Sequence, residues 1–167
     1  MLSLTGFAMT AILALATGAL AWGAVVDVRR YIIPNVISAT VAGSFLLMAA
    51  FMPPVFVIGG LLTGLAVLAV GVFIFARGWM GGGDVKLLAA TCLWAGPSML
   101  APFALVTSMA AGALALVILS PVGKLMPIHP SVSISDARPM GRQPMPFGVA
   151  IAMGGLWVIL QHFAAIQ

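Results

Sequence analysis

The chain has 167 residues, of which 63% are hydrophobic and 6% charged, and seven Lys and Arg against three Asp and Glu leave a formal net charge of +4. Water-soluble domains carry about 25% charged residues, so the composition excludes one and calls for a lipid solvent. The pI of ≈ 10.3 rests on that small excess of charge, with no basic stripe interleaved with aromatics, which argues against nucleic acid as a partner.

Apolar stretches fall at residues 4–26, 36–52, 55–76, 85–95, 98–120 and 147–165. A run of about 20 residues crosses a hydrocarbon layer of about 30 Å. The first run is preceded by no positive charge, unlike the leader of a secreted protein, and reads as a membrane helix. The second is short but usable. Within the third, Gly60 and Gly64 give a small-xxx-small spacing suited to close helix approach. The fourth is the shortest and must take its start from the glycine-rich stretch around Gly81. A sharp Gly96-Pro97 turn separates it from the fifth. The fold class expected is all-α, a single polytopic membrane domain over residues 1–167 built as a bundle of six transmembrane helices.

Short loops rich in Lys and Arg stay on the cytoplasmic side. With six crossings and the N-terminus outside, the inner loops are 27–35, 77–86 and 121–145, and they hold Arg29, Arg30, Arg77, Lys86, Lys124, Arg138 and Arg142, every basic residue of the chain. If the fourth stretch failed to cross, the last three would lie opposite the other four. The loop 121–145, rich in Pro, Ser and Met, reads as a flexible connection.

The three acidic residues then separate by position. Asp136 lies in the long solvated loop. Asp27 closes the first helix and Asp84 opens the fourth, so both stand at the cytoplasmic edge of the bundle, facing each other if those helices are neighbours. Two carboxyls close together in a partly dry site share a proton near neutral pH, the arrangement of an aspartic protease. One acts as general base on water while the other protonates the scissile carbonyl oxygen. That chemistry needs no cofactor and no metal. Ordinary interfacial roles compete with it: an Asp at a helix N-terminus stabilises the helix, and Asp27 can simply pair with Arg29 or Arg30.

The residues around each Asp add to this. Gly81-Gly82-Gly83-Asp84 sets side-chain-free backbone beside a carboxyl, which permits unusual dihedrals and close approach of an extended peptide. Asp27 is followed by Ile33-Pro34-Asn35, the glycines by Asp84-x-Lys86-Leu87, and a late block reads Met145-Pro146-Phe147-Gly148-Val149-Ala150-Ile151-Ala152. On these three blocks the chain resembles the type IV prepilin peptidases, bacterial membrane aspartyl proteases of the GxGD class. The resemblance spans nearly the whole chain and implies six spans, a catalytic dyad of Asp27 and Asp84, and cleavage of prepilins and pseudopilins just after the basic leader. It also suggests that Gly81, Gly83, Pro146 and Gly148 line the site. Larger members add a cytoplasmic region with paired CxxC motifs associated with N-methylation. This chain has one cysteine, so it resembles the short subgroup serving tight-adherence (Tad/Flp) pili, with archaeal preflagellin peptidases as neighbours.

Lys86 admits two readings, a partner for Asp84 or for an acidic group on the substrate, and an anchor at the lipid headgroups. Cys92 reads as a small apolar residue, His129 and His162 suggest no ligand, and the methionines read as packing. Trp22, Trp79 and Trp94 are expected at the membrane boundaries. The rival to a peptidase is a small proton-coupled transporter using the same Asp pair, although transporter sites lie near the bilayer midplane rather than at one edge. A membrane scaffold subunit would need neither Asp.

Overall fold

The computed structural model describes residues 4–120 and 146–166. The loop 121–145, with Lys124, His129, Asp136, Arg138, Arg142 and Met145, lies outside them. Among the described residues the chain is helical throughout: α1 (Leu4–Arg30), α2 (Asn35–Met48), a 3-10 turn (Ala49–Phe51), α3 (Pro54–Ala76), α4 (Gly82–Leu119) and α5 (Phe147–Ile166). Four of these are long and apolar enough to cross a membrane, and Asn35–Phe51 forms a shorter apolar helix. Six separate helices are expected and five are found, because the fourth and fifth predicted runs are joined in α4 across a break at Gly96.

The union is not a straight rod. Gly96 has φ 55° and ψ −172°, a conformation open essentially only to glycine. The next residue, Pro97, supplies no N–H to the carbonyl four residues earlier. An unbroken helix would set Thr91 and Thr107 about 24 Å apart. Instead Thr91 stands against Gly155 of α5, and Thr107 against its neighbour Gly154. The two limbs of α4, residues 82–95 and 97–119, therefore fold back beside each other around α5. Gly96→Ala is expected to destabilise the protein by about 1–3 kcal/mol, read as a lowered unfolding temperature in detergent.

The first limb of α4 is the centre of the bundle, with α2, α3 and α5 all packed on it. Glycine makes the α3 contact possible. A Cβ on Gly60 would meet the Leu93 carbonyl, one on Gly64 the Leu93 side chain, and one on Gly71 would lie 2.6 Å from Val85 Cγ1. Residues 60, 64 and 71 recur at helical spacing along one face of α3 and run antiparallel to Leu93, Ala89 and Val85, so without side chains the backbones come close enough for dispersion contact. The outward faces of the helices carry large apolar groups, among them Phe7, Leu62, Val70 and Leu160, as a lipid-facing surface requires.

One tryptophan departs from the sequence reading. Trp22 and Trp79 are exposed, as boundary anchors are, but Trp94 is wholly buried. Its indole N–H donates to the Val41 carbonyl at 3.1 Å, and its ring packs edge-on to Phe45 with centroids 5.7 Å apart. His162 is buried too, and its Nε2 lies 2.9 Å from the Trp94 carbonyl oxygen. A carbonyl only accepts, so Nε2 carries the proton. His162→Leu leaves that carbonyl short of a donor in a dry site, and a loss of about 1–2 kcal/mol of stability is expected by thermal unfolding.

Candidate active site

Asp27 lies about one turn inside the C-terminal end of α1 rather than closing it, because the helix runs on through Arg30. The basic Arg29 and Arg30 in its last turn suit the negative end of a helix. Tyr31 then takes a left-handed conformation, φ 52°, and its N–H closes on the Asp27 carbonyl at 2.8 Å. This reverses the chain and sends 31–34 across the end of the bundle into α2.

The Asp27 side chain does not pair with the exposed arginines beside it. It is 4% exposed and turned toward the start of α5, where it faces the backbone amides of Gly148 and Val149. The approach is close: a Cβ on Gly148 would sit 2.8 Å from Asp27 Oδ2 and 3.0 Å from Cγ. Pro146, buried just ahead of α5, accepts from the Val149 N–H at 3.3 Å and holds this end of the helix in place. Oδ2 itself has no hydrogen-bond partner. A buried carboxyl oxygen left unsatisfied is rare in folded proteins, and here it lies against the amides that open α5.

Asp84 is half-buried in the first turn of α4. Gly81 caps that helix with φ −71° and ψ 143°, and a Cβ on it would stand 3.0 Å from Asp84 Oδ2. The carboxyl thus bends back over the N-terminal turn, where the helix dipole favours an acidic group. The glycine run is used differently from expectation. Among the described glycines positive φ occurs at Gly78 and Gly96, not at residues 81–83, so the run serves close approach rather than unusual dihedrals.

Gly83 shows what that approach is for. A Cβ there would lie 3.0 Å from the Ile33 carbonyl oxygen and 3.1 Å from Ile33 Cβ. Ile33 is also the residue whose Cδ1 would be 2.5 Å from a Cβ on Gly148. The segment between α1 and α2 therefore lies between the residue before Asp84 and the residue facing Asp27. Direct contact of the first and fourth predicted helices was the condition for bringing the acids together. In the structure α1 packs mainly on α2 and α5, and the two acid-bearing elements meet through Ile33 and the start of α5.

Lys86 has a structural partner besides its two expected parts. It is exposed at the edge of the bundle, and its Nζ donates to Asn35 Oδ1 at 2.9 Å, tying α4 to the first residue of α2. The structural parts of Ile33, Asn35 and His162 are not evident from residue order. The available signals were a polar amide and an imidazole in apolar surroundings, which rarely occur there without a partner.

A family model described as the type IV leader peptidase family matches residues 9–116, well over half the chain and including both Asp27 and Asp84. The chain belongs to the type IV leader peptidase family. Comparison with curated proteins and with solved structures gives no match. Membership in the leader peptidase family marks the chain as a prepilin peptidase of the aspartic class, and its apolar helices as a multi-pass membrane protein. The leader peptidase match ends before the start of α5, so the placement of Pro146 and Gly148 against Asp27 comes from the fold alone.

Proposed function

We propose that this leader peptidase is a membrane-embedded aspartic endopeptidase that removes the leader from Flp/Tad-type prepilins and pseudopilins at the cytoplasmic boundary, with Asp27 and Asp84 as its catalytic dyad. The observation that carries the reading is the convergence of both acid-bearing elements on Ile33, at one end of the bundle. One carboxylate takes a proton from water as it attacks the scissile carbonyl, and the protonated partner donates to the carbonyl oxygen. The roles reverse as the leaving amine is protonated. The unsatisfied Oδ2 of Asp27 and the Asp84 carboxyl over its helix end are the groups assigned to this work.

Six crossings complete the proposed topology, the two limbs of α4 being the fourth and fifth. The return of residues 97–119 alongside 82–95 supports that count, as does the gathering of all basic residues on inner loops. Both termini then lie outside the bacterial inner membrane and both acids at its inner edge. A substrate helix must unwind locally there, since helical hydrogen bonds hide the scissile carbonyl, and the side-chain-free 81–83 backbone suits an extended chain. Gly81, Gly83, Lys86, Pro146 and Gly148 are read as lining or shaping this site. With one cysteine and no paired CxxC motifs, the enzyme is read as lacking N-methyltransferase activity. Coexpression with a Flp-type prepilin tests the reading: the shorter product on a gel is expected, and an uncut precursor alongside well-expressed protein contradicts it.

A further inference from the structure

A proline at position 34 cannot continue a helix, and the residue before a proline is pushed toward extended backbone. Residues 32–34 accordingly form no helix, and Pro34 itself is extended, with φ −61° and ψ 139°. The hold of this stretch on the bundle is narrow. From Tyr31 to Val36 the one buried side chain is Ile33, which sets its carbonyl oxygen and Cβ against Gly83 and its Cδ1 against Gly148. Beyond it, the Lys86–Asn35 hydrogen bond fastens the far end to α4.

The same side chain covers an acid. A Cβ on Gly148 would lie within 2.8 Å of both Ile33 Cδ1 and Asp27 Oδ2, so that methyl and that oxygen are close neighbours over the start of α5. A general base must stand within hydrogen-bond reach of the water it deprotonates, whereas Oδ2 is buried and makes no hydrogen bond. An unsatisfied carboxyl oxygen in a dry site is costly. A second cost lies four residues on, where Tyr31 has φ 52°, a left-handed conformation that bulky side chains rarely take. Two unfavourable features thus adjoin a segment anchored by one side chain, as is found at segments that switch. The face of Gly83 that Ile33 occupies is also part of the side-chain-free surface suited to an extended substrate. The chain's own residues take that place first.

We propose that residues 31–35 form an autoinhibitory strap, in which Ile33 lies against Gly83 where an extended substrate would lie and shuts water from Asp27 until the precursor lifts it. The inference rests on the peptidase reading and adds the regulation of that same site. Lifting the strap opens Oδ2 to water and frees Tyr31 to regain an ordinary backbone conformation. The experiment uses the full-length enzyme in liposomes, without precursor, and dicyclohexylcarbodiimide, an apolar reagent for carboxyl groups. Modification of Asp27 and Asp84 is followed by mass spectrometry, Asp84 serving as the reference within the same molecule. Ile33→Ala is expected to speed modification of Asp27 about tenfold while that of Asp84 changes by less than about twofold. Ile33→Val removes only Cδ1 and spares the fold, and is expected to speed Asp27 about threefold. An Asp27 rate unchanged in Ile33→Val, or rising equally with that of Asp84 in either variant, would overturn the strap. With a Flp-type prepilin added, Ile33→Val is expected to lower KM about threefold, because the substrate competes with a weaker seal. A raised KM would overturn it as well. Labelling needs no cleavage, so if it follows this pattern while the wild-type protein leaves the precursor whole, the peptidase reading fails and the seal on Asp27 stands.

Discussion

Asp27→Asn and Asp84→Asn, made singly, are each expected to reduce precursor cleavage by about three orders of magnitude, within the range seen when a positioned acid or base is removed. The amide keeps the size of the carboxyl but neither takes a proton from water nor supplies one to a carbonyl oxygen. The two variants should be equally inactive, because a dyad works only with one ionised and one protonated member. Folding should survive both. Asp27 is buried with an unsatisfied Oδ2, so replacing it with a neutral group removes a charge from a poorly solvated position, and Asp84 sits at a helix end half open to the surroundings. Purified variants with wild-type unfolding temperatures and no product by mass spectrometry fit the proposal. Retained cleavage in either would remove that residue from the chemistry. Proton flux through proteoliposomes, lost in both variants, would instead favour transport.

Gly148→Ala is expected to lower cleavage about a hundredfold, the scale associated with misplacing a reacting group by about 1 Å. The added methyl would come within 2.8 Å of Asp27 Oδ2 and 2.5 Å of Ile33 Cδ1. Either the carboxyl turns away or Ile33 shifts, and Ile33 also touches Gly83 beside Asp84. One methyl group therefore disturbs both acids. Gly112→Ala is the control, since nothing lies within 4 Å of its Cβ position. It should cleave precursor at the wild-type rate. The fall at Gly148 should appear in kcat with little change in unfolding temperature. A Gly148→Ala enzyme of normal activity would show that Asp27 is not held in place by the start of α5.

Much of this architecture follows from residue order. The paucity of charge and the length of the apolar runs require membrane helices, and the helix starts at Asn35, Pro54 and Phe147 fall within a residue or so of where the apolar patterns begin. Pro54 and Pro146 mark two of those starts, because proline is tolerated where a helix begins and its N–H would lack a partner anyway. The spacing of Gly60 and Gly64 indicates a close helix contact but not its partner, which is the Leu93 and Ala89 stretch of α4. Trp94 departs from its expected place for a related reason. A tryptophan near a helix end reads as a boundary anchor, and only the turn at Gly96 reveals that this end is enclosed by α2 and α5, with Val41 accepting from the indole.

The sequence alone determined that the chain lives in lipid, that its ionisable groups are few, and that two of its three acids flank apolar helices among motifs of the leader peptidase kind. These are properties of composition and local order, and no folding is needed to read them. Tertiary structure alone decided that Ile33, rather than direct contact between the first and fourth apolar runs, brings the neighbourhoods of Asp27 and Asp84 together, and that the start of α5 stands over Asp27. Those relations join residues fifty or more positions apart in the chain, and they depend on which helices pack and how closely. In lipid that choice is made by small residues and a few hydrogen bonds rather than by hydrophobicity, which is nearly uniform along this chain.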